Sequence, residues 1–201
     1  YATLPDFAVP DTATFELWVN NAGPNGDQCL LSKRWPGNDF RILLRENGLN
    51  NDVWIYFNGQ EYNFGTLGMG YQHLAFTMVP NGTNRTFTGY KNGLGIGSYT
   101  FAGVTGDFYS DLAEQWYLGA RFSGGGQTDH FDGLIDEVAV YDTTLSPAVI
   151  LDHVNNSRNP QERGLYVYFA LDEGAGFRLN NSGSAFLPFG NNSGADWTPF
   201  A

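Results

Sequence analysis

The chain has 201 residues, of which 42% are hydrophobic, 16% aromatic and only 15% charged, with 26 glycines. That is too apolar and aromatic for a disordered chain, and the charged residues are too few for a helical bundle. The net charge of −11, with ten scattered Lys and Arg, offers no basic face to a phosphate backbone, so nucleic acid is not an expected partner.

Period-two alternation begins at Thr12 to Val19, which puts Phe15, Leu17 and Val19 on one face. Asp39 to Arg45 predicts a strand, and Asn47-Gly48 a turn after it. Asp52 to Phe57 predicts the next strand, ended by Asn58-Gly59. Gln72 to Val79, Arg85 to Tyr90, Gln115 to Leu118 and Leu134 to Tyr141 predict further strands. Between them lie Pro80-Asn81-Gly82, Lys91-Asn92-Gly93 and the run from Ser123 to Gly126, all turn or loop chemistry. One short helix is expected after Ser146, a good N-cap, with Pro147 in its first position and Asn155-Asn156 at its end. Gly164 to Leu171 is strand-like again. Strands parted by turns every ~8–15 residues predict an all-β fold, a two-sheet antiparallel β-sandwich of jelly-roll type.

The single cysteine, Cys29, allows no internal disulfide and reads as a small buried apolar residue. No apolar run approaches the roughly 18 residues of a membrane span, so membrane insertion is not expected. No signal peptide is visible, and a first residue of Tyr1 points to a processed protein or a segment of something longer. Targeting signals therefore do not give the localisation.

The string Phe131-Asp132-Gly133-Leu134-Ile135-Asp136-Glu137-Val138, followed by Thr144-Leu145-Ser146 and the helix, resembles the closing signature of the laminin G-like, concanavalin A-like jelly rolls. Other pieces agree in order. Thr14 to Val19 resembles the early inner strand, Leu30-Leu31-Ser32-Lys33 a family turn, and Gln72 to Thr77 a central strand. Tyr90-Lys91-Asn92-Gly93 resembles the family's hairpin and Leu118-Gly119-Ala120-Arg121 its next strand. One departure stands out. The string Tyr168 to Gly176 with Asn181-Ser182-Gly183 resembles what normally opens such a domain, yet here it closes the chain. Residues 1–201 are thus expected to form one sandwich in which 165–201 supply the usual opening strands, a circular permutation. The alternative is a tail that starts a second copy.

The resemblance implies a structural calcium. An acidic residue at the place of Asp136 helps hold the ion in the family, with co-ligands from the segment matching Asp172 and Glu173. Asp129 and Asp132 are second-choice ligands. The resemblance also implies sugar binding. Trp35, Asn38 and Asp39 set an aromatic beside polar groups in a loop. Trp54 and Tyr56 share one strand face, which is either a ligand platform or the core face. Arg121, Gln127 and His130 flank the Gly-rich run. Trp18 and Trp116, inside apolar strands, are expected in the core, and His153 on the helix at the surface or in packing.

Catalysis finds no motif. The paired carboxylates of laminarinase-type hydrolases are missing, since Asp136 and Glu137 are adjacent and point to opposite faces. No G-x-S-x-G, P-loop or H-E-x-x-H string is present. The expected function is a non-catalytic, lectin-like glycan-binding module, calcium-stabilised, extracellular or at a cell surface. The alternatives are a protein- or peptide-binding adhesion module and a polysaccharide hydrolase or lyase.

Overall fold

In the computed structural model, which describes residues 1–35, 38–103, 115–185, 187 and 190–196, hairpin turns set most strand boundaries. The strands in chain order are β1 (Ala2–Leu4), β2 (Ala13–Asn21), β3 (Gln28–Trp35), β4 (Asn38–Asn47), β5 (Asn50–Phe57), β6 (Gln60–Thr66), β7 (Gly70–Asn81), β8 (Asn84–Lys91) and β9 (Leu94–Phe101). Then come β10 (Trp116–Leu118), β11 (Arg121–Ser123), β12 (Gly126–Thr128), β13 (Gly133–Tyr141), helix α1 (Pro147–Asn155), β14 (Leu165–Phe169), β15 (Arg178–Leu179) and β16 (Gly190–Asn192). Asn58-Gly59 and Asn92-Gly93 close β5–β6 and β8–β9 with positive φ at both positions, 50° and 77° in each turn. That is the two-residue geometry whose twist matches the flanking strands.

Among the described residues the strands form two large antiparallel sheets. The large sheet has eight strands in the order β15-β16-β1-β10-β3-β4-β5-β6, the small sheet six in the order β14-β13-β2-β7-β8-β9, and β11 and β12 make a separate hairpin. The tail joins both sheets. β14 pairs with β13, and β16 lies on β1 with Ala2 opposite Asn192.

Alternation sorts each strand between core and surface. Phe15, Leu17 and Val19 of β2 face inward, as do Phe40, Ile42 and Leu44 of β4 and Val53, Ile55 and Phe57 of β5. Phe40 sits at the centre, with ring centroids 5.0 Å from Phe15, 5.9 Å from Phe57 and 6.0 Å from Phe87. Trp116 is fully buried and stacks 4.7 Å from Phe7. Trp18 departs from its expected core position. It takes the opposite parity to Leu17 and Val19, so it lies half-buried on the outward face, edge-on to His73 at 5.3 Å. Leu30 to Lys33, expected as a turn, lies inside β3, where Lys33 is buried against Asp6.

Helix α1 starts as its sequence dictates. The Ser146 hydroxyl accepts from the Val149 amide at 3.3 Å, and Pro147 opens the first turn. The helix buries only Ile150 and His153 on the outward face of the small sheet, so apolar contact is only part of its attachment. His153 is thus more buried than a surface residue. Its Nδ1 lies 2.9 Å from Glu16 Oε2, and Arg158 Nη2 donates to the same oxygen at 2.7 Å. Glu16 itself is fully buried.

Candidate functional site

The outward face of the large sheet is built by strand register. β4 and β5 pair through the turn after Asn47, which sets Arg41 opposite Tyr56 and Leu43 opposite Trp54. β6 continues the rows, with Glu61 beside Tyr56 and Asn63 beside Trp54. Because Val53, Ile55 and Phe57 face the core, Trp54 and Tyr56 must face out, and both are partly exposed. Guanidinium groups lie over both rings. Arg41 sits 3.8 Å from the Tyr56 centroid and Arg45 4.6 Å from that of Trp54, distances typical of cation–π stacking.

Carboxylates hold those guanidinium groups in place. Arg45 forks between Asp27 at 3.1 Å and Glu61 at 3.1 Å, and Arg41 lies 3.2 Å from Asp39. The β11–β12 hairpin borders the face where the Ser32 hydroxyl of β3 donates to the Ala120 carbonyl at 2.8 Å. Arg121 in that hairpin lies 2.6 Å from Asp129. Cys29 marks the meeting of hairpin and sheet. Burial pushes its thiol up to about 12, against the pull of the Arg41 and Arg121 charges. It is therefore an inert buried thiol at neutral pH.

Of the residues expected to meet sugar, Asp39, Trp54 and Tyr56 share this outward face, and Arg121 and Gln127 belong to the hairpin at its border. Trp35 and Asn38 pair across the β3–β4 end, but their side chains lie outside the described residues. His130 is exposed elsewhere, 5.6 Å from the Tyr1 ring. Arg41 and Arg45 were not singled out from sequence. Counting back from the Asn47-Gly48 turn would have found them, since the hairpin register alone puts Arg41 against Tyr56.

A second region lies between the sheets at one end of the sandwich. A cavity of about 490 Å³ is lined by Phe131, Ile135, Leu171 and Leu179, with Asp136 and Asp172 on its wall. Asp136 precedes an irregularity in β13 between Asp136 and Ala139. Its neighbour Glu137 takes a φ of +54°, and Leu171, next to Asp172, a φ of +60°. Left-handed backbone at non-glycine residues is costly, of order 1–3 kcal/mol each, and persists where surrounding structure enforces it. Burial pushes the Asp136 carboxyl up to about 6; the Glu137 amide pulls the other way, while the Glu137 and Asp172 charges add to the rise. The other expected metal ligands sit apart. Asp129 is engaged by Arg121, and Asp132 is exposed with its amide donating to Gln28 at 2.7 Å. Glu173 accepts from the Asn180 amide at 2.7 Å. Among the described residues no three acidic, His or Cys side chains converge as a metal site, and no helix is long and apolar enough to cross a membrane.

A family model described as the concanavalin A-like lectin/glucanases superfamily matches residues 1–151. No curated protein matches the sequence. Among solved structures, a Bacteroides ovatus protein proposed to bind carbohydrate superposes with a TM-score of 0.73 at 17% identity, covering 96% of this chain. The match spans 55% of that protein's length. Domain 4 of AbnA, an extracellular arabinanase from Geobacillus stearothermophilus solved with arabinotriose, matches with a TM-score of 0.57 at 24% identity, over 75% of this chain and 70% of that one. The sialidase module CBM40 of Ruminococcus gnavus, bound to α2,3-sialyllactose, matches with a TM-score of 0.53 at 16% identity, over 73% and 84%. At these identities the likeness is one of fold, the β-sandwich of carbohydrate-binding modules.

Proposed function

The chain belongs to the concanavalin A-like lectin/glucanase superfamily, and from that membership we propose that it is a non-catalytic carbohydrate-binding module working outside the cell. The observation that carries this reading is the row on the outward face of the large sheet, half-buried Trp54 and Tyr56 with Arg45 and Arg41 laid over them. Sugar rings offer apolar C–H faces to aromatic and guanidinium planes, while their hydroxyls pair with the carboxylates and amides beside them. The oligosaccharide-bound neighbours, one of them part of an extracellular enzyme, support the same reading.

A binding rather than a catalytic role is supported by the state of the acids. Asp27, Asp39, Glu61 and Asp129 each face a guanidinium group. A glycosidase needs two carboxyl groups free to flank the scissile bond, and these four are each taken up by an arginine. The test is affinity electrophoresis against a panel of soluble polysaccharides. The chain should be retarded by at least one, and Trp54→Ala or Tyr56→Ala should remove most of the retardation without changing the melting curve by more than about 1 kcal/mol. A protein retarded by none would end this reading.

Calcium fits Asp136 and Asp172 as a partial donor set. The two are hard carboxylates from separate segments whose mutual repulsion a cation would relieve, but the ion takes roughly six to eight oxygens, so carbonyls and waters must complete it. When bound, calcium would tie β13 to the segment after β14 and oppose their separation. The melting temperature should rise by several degrees with calcium over chelator, an effect of about 2–3 kcal/mol at saturation. Asp136→Asn should abolish the difference. Identical melts in calcium and chelator would remove the ion from the account.

A further inference from the structure

We propose that the corner where β3, β4 and the β11–β12 hairpin meet is a subsite for a carboxylate-bearing sugar, a uronate or a sialate, an inference that rests on the glycan-binding reading above. Arg34 of β3, Arg41 of β4 and Arg121 of the hairpin come together there. Register does the first part. Arg34 stands opposite Asp39 and Ser32 opposite Arg41, so these side chains share the outward face. The Ser32 hydroxyl then ties in the hairpin through the carbonyl of Ala120, the residue before Arg121.

Little of the donor capacity of these arginines is spent on the fold. Arg34 is exposed and makes no ion pair or hydrogen bond among the described residues, although Asp39 lies across the ladder from it. Arg41 and Arg121 meet their acids through Nε alone, 3.2 Å from Asp39 and 2.6 Å from Asp129, and neither Nε forms a hydrogen bond among the described residues. A guanidinium group carries five N–H donors. Arg41 is nevertheless held in place, its side chain only 11% exposed and its guanidinium group 3.8 Å from the centroid of the Tyr56 ring. Thr128, opposite Arg121 in the hairpin, adds a buried hydroxyl without a partner among the described residues. Fixed cationic donors with a hydroxyl beside them suit a planar carboxylate, whose two oxygens accept from guanidinium groups in pairs.

The acids are distributed so that this corner stays positive. Arg34, Arg41 and Arg121 face Asp39 and Asp129, three cations against two carboxylates. Asp27 and Glu61 belong to Arg45, which lies 3.1 Å from each, and Asp52 stands opposite Arg45 in the ladder. Arg45 is four positions along β4 from Arg41, about 13 Å at the usual rise of a strand. That exceeds the Debye length of about 8 Å at physiological salt, so the acidic end of the face weighs little at the corner. The face is thus polarised along β4, with a place for one acidic sugar at the corner and for a neutral one over Trp54.

The test is calorimetry of the whole chain with polygalacturonate, alginate, glucuronoxylan and polysialate, each before and after chemical reduction of its carboxyl groups to alcohols. At least one carboxylated polymer should bind and lose about tenfold on reduction, the loss of a charge-assisted contact. Its affinity should also fall several-fold between about 50 mM and 500 mM salt. Arg34→Gln should weaken it about fivefold or more, with an unchanged melting curve and unchanged affinity for the reduced polymer, because Arg34 is spent on nothing else. Equal or higher affinity after reduction, binding indifferent to salt, or parental affinity in Arg34→Gln would each overturn the acidic subsite while leaving glycan binding standing. So would dextran sulfate bound as tightly as the carboxylated polymer, which would mean attraction by charge alone. Binding of neither form of any polymer would overturn the glycan reading and this inference together.

Discussion

On the outward face of the large sheet Arg45 reaches Asp27 and Glu61 above Trp54, within reach of water. On the outward face of the small sheet Arg158 reaches Glu16 beside Tyr141 and Tyr168, almost wholly shielded by α1 and the segment after it. The residue types are alike. The cover differs, and with it the work each cluster can do. Under the helix the groups are held mostly by one another: His153 bridges Glu16 and Glu162, Tyr141 donates to Glu162 at 2.9 Å, and Tyr168 donates to Glu137 at 2.7 Å. On the open face the same kinds of pair hold flat groups within reach of solvent. Burial therefore separates a cluster that fastens a helix from one available to a ligand.

The sharpest way to break that contrast is Glu16→Ala. It leaves Arg158 buried without its carboxylate, and removing one partner of a buried ion pair costs about 3–5 kcal/mol. Urea denaturation should show a loss of that size, while the protein that remains folded binds glycan as before. A loss below about 1 kcal/mol would mean that the helix is held by its apolar contacts alone.

A smaller effect concerns pH. Burial lowers His73 to about 4, since both ring nitrogens are without partners among the described residues and the nearby Arg158 and His153 oppose a further charge; only Glu16, 4.0 Å away, favours it. His153 is the reverse. Burial pulls it down, but the Glu16 hydrogen bond and the Glu16 and Glu162 charges outweigh burial and the Arg158 charge, and it is raised. With His73 below its unfolded value of about 6.5, the unfolded chain binds more protons between about 6.5 and 4, so stability falls as pH drops through that window. With His153 above that value, its contribution is full below about 6.5 and is lost as pH rises through the folded value. Urea midpoints should therefore peak near the crossover. His73→Asn should flatten the acid limb relative to the parent and His153→Gln the alkaline limb. Limbs unchanged in both variants would place the titration elsewhere.

The smallest effect is expected at Arg45→Ala. Its ion pairs are exposed, and such pairs contribute about 0–1 kcal/mol. Glycan affinity should nevertheless drop several-fold, because the plane over Trp54 is gone. A variant that loses stability but keeps its affinity would reverse the assignment of the two faces.

Much of the fold was legible because it is written in local chemistry. Asn58-Gly59 and Asn92-Gly93 accept positive φ, so those hairpins could be placed from dipeptides alone. Ser146-Pro147 announces a helix start wherever it falls. Other elements were hidden because their support is distant. Lys33 hardly suits a strand interior until Asp6 arrives to meet it. Leu94 to Phe101 carries glycines that argue against a strand, and only pairing along β8 makes it one. The candidate site was half visible. Alternation put Trp54 and Tyr56 on a common face, yet the opposite face, Val53, Ile55 and Phe57, is equally apolar.

The sequence by itself determined the class of the molecule, the hairpins and the helix start, because period, turn residues and caps act over a few neighbouring positions. Tertiary structure alone decided which face of β5 looks outward and with which strands of the two sheets the tail pairs, and it set Asp136 and Asp172 on the wall of one cavity. Those outcomes depend on which apolar face finds a second sheet to bury against, a choice made between segments more than a hundred residues apart in part of the molecule.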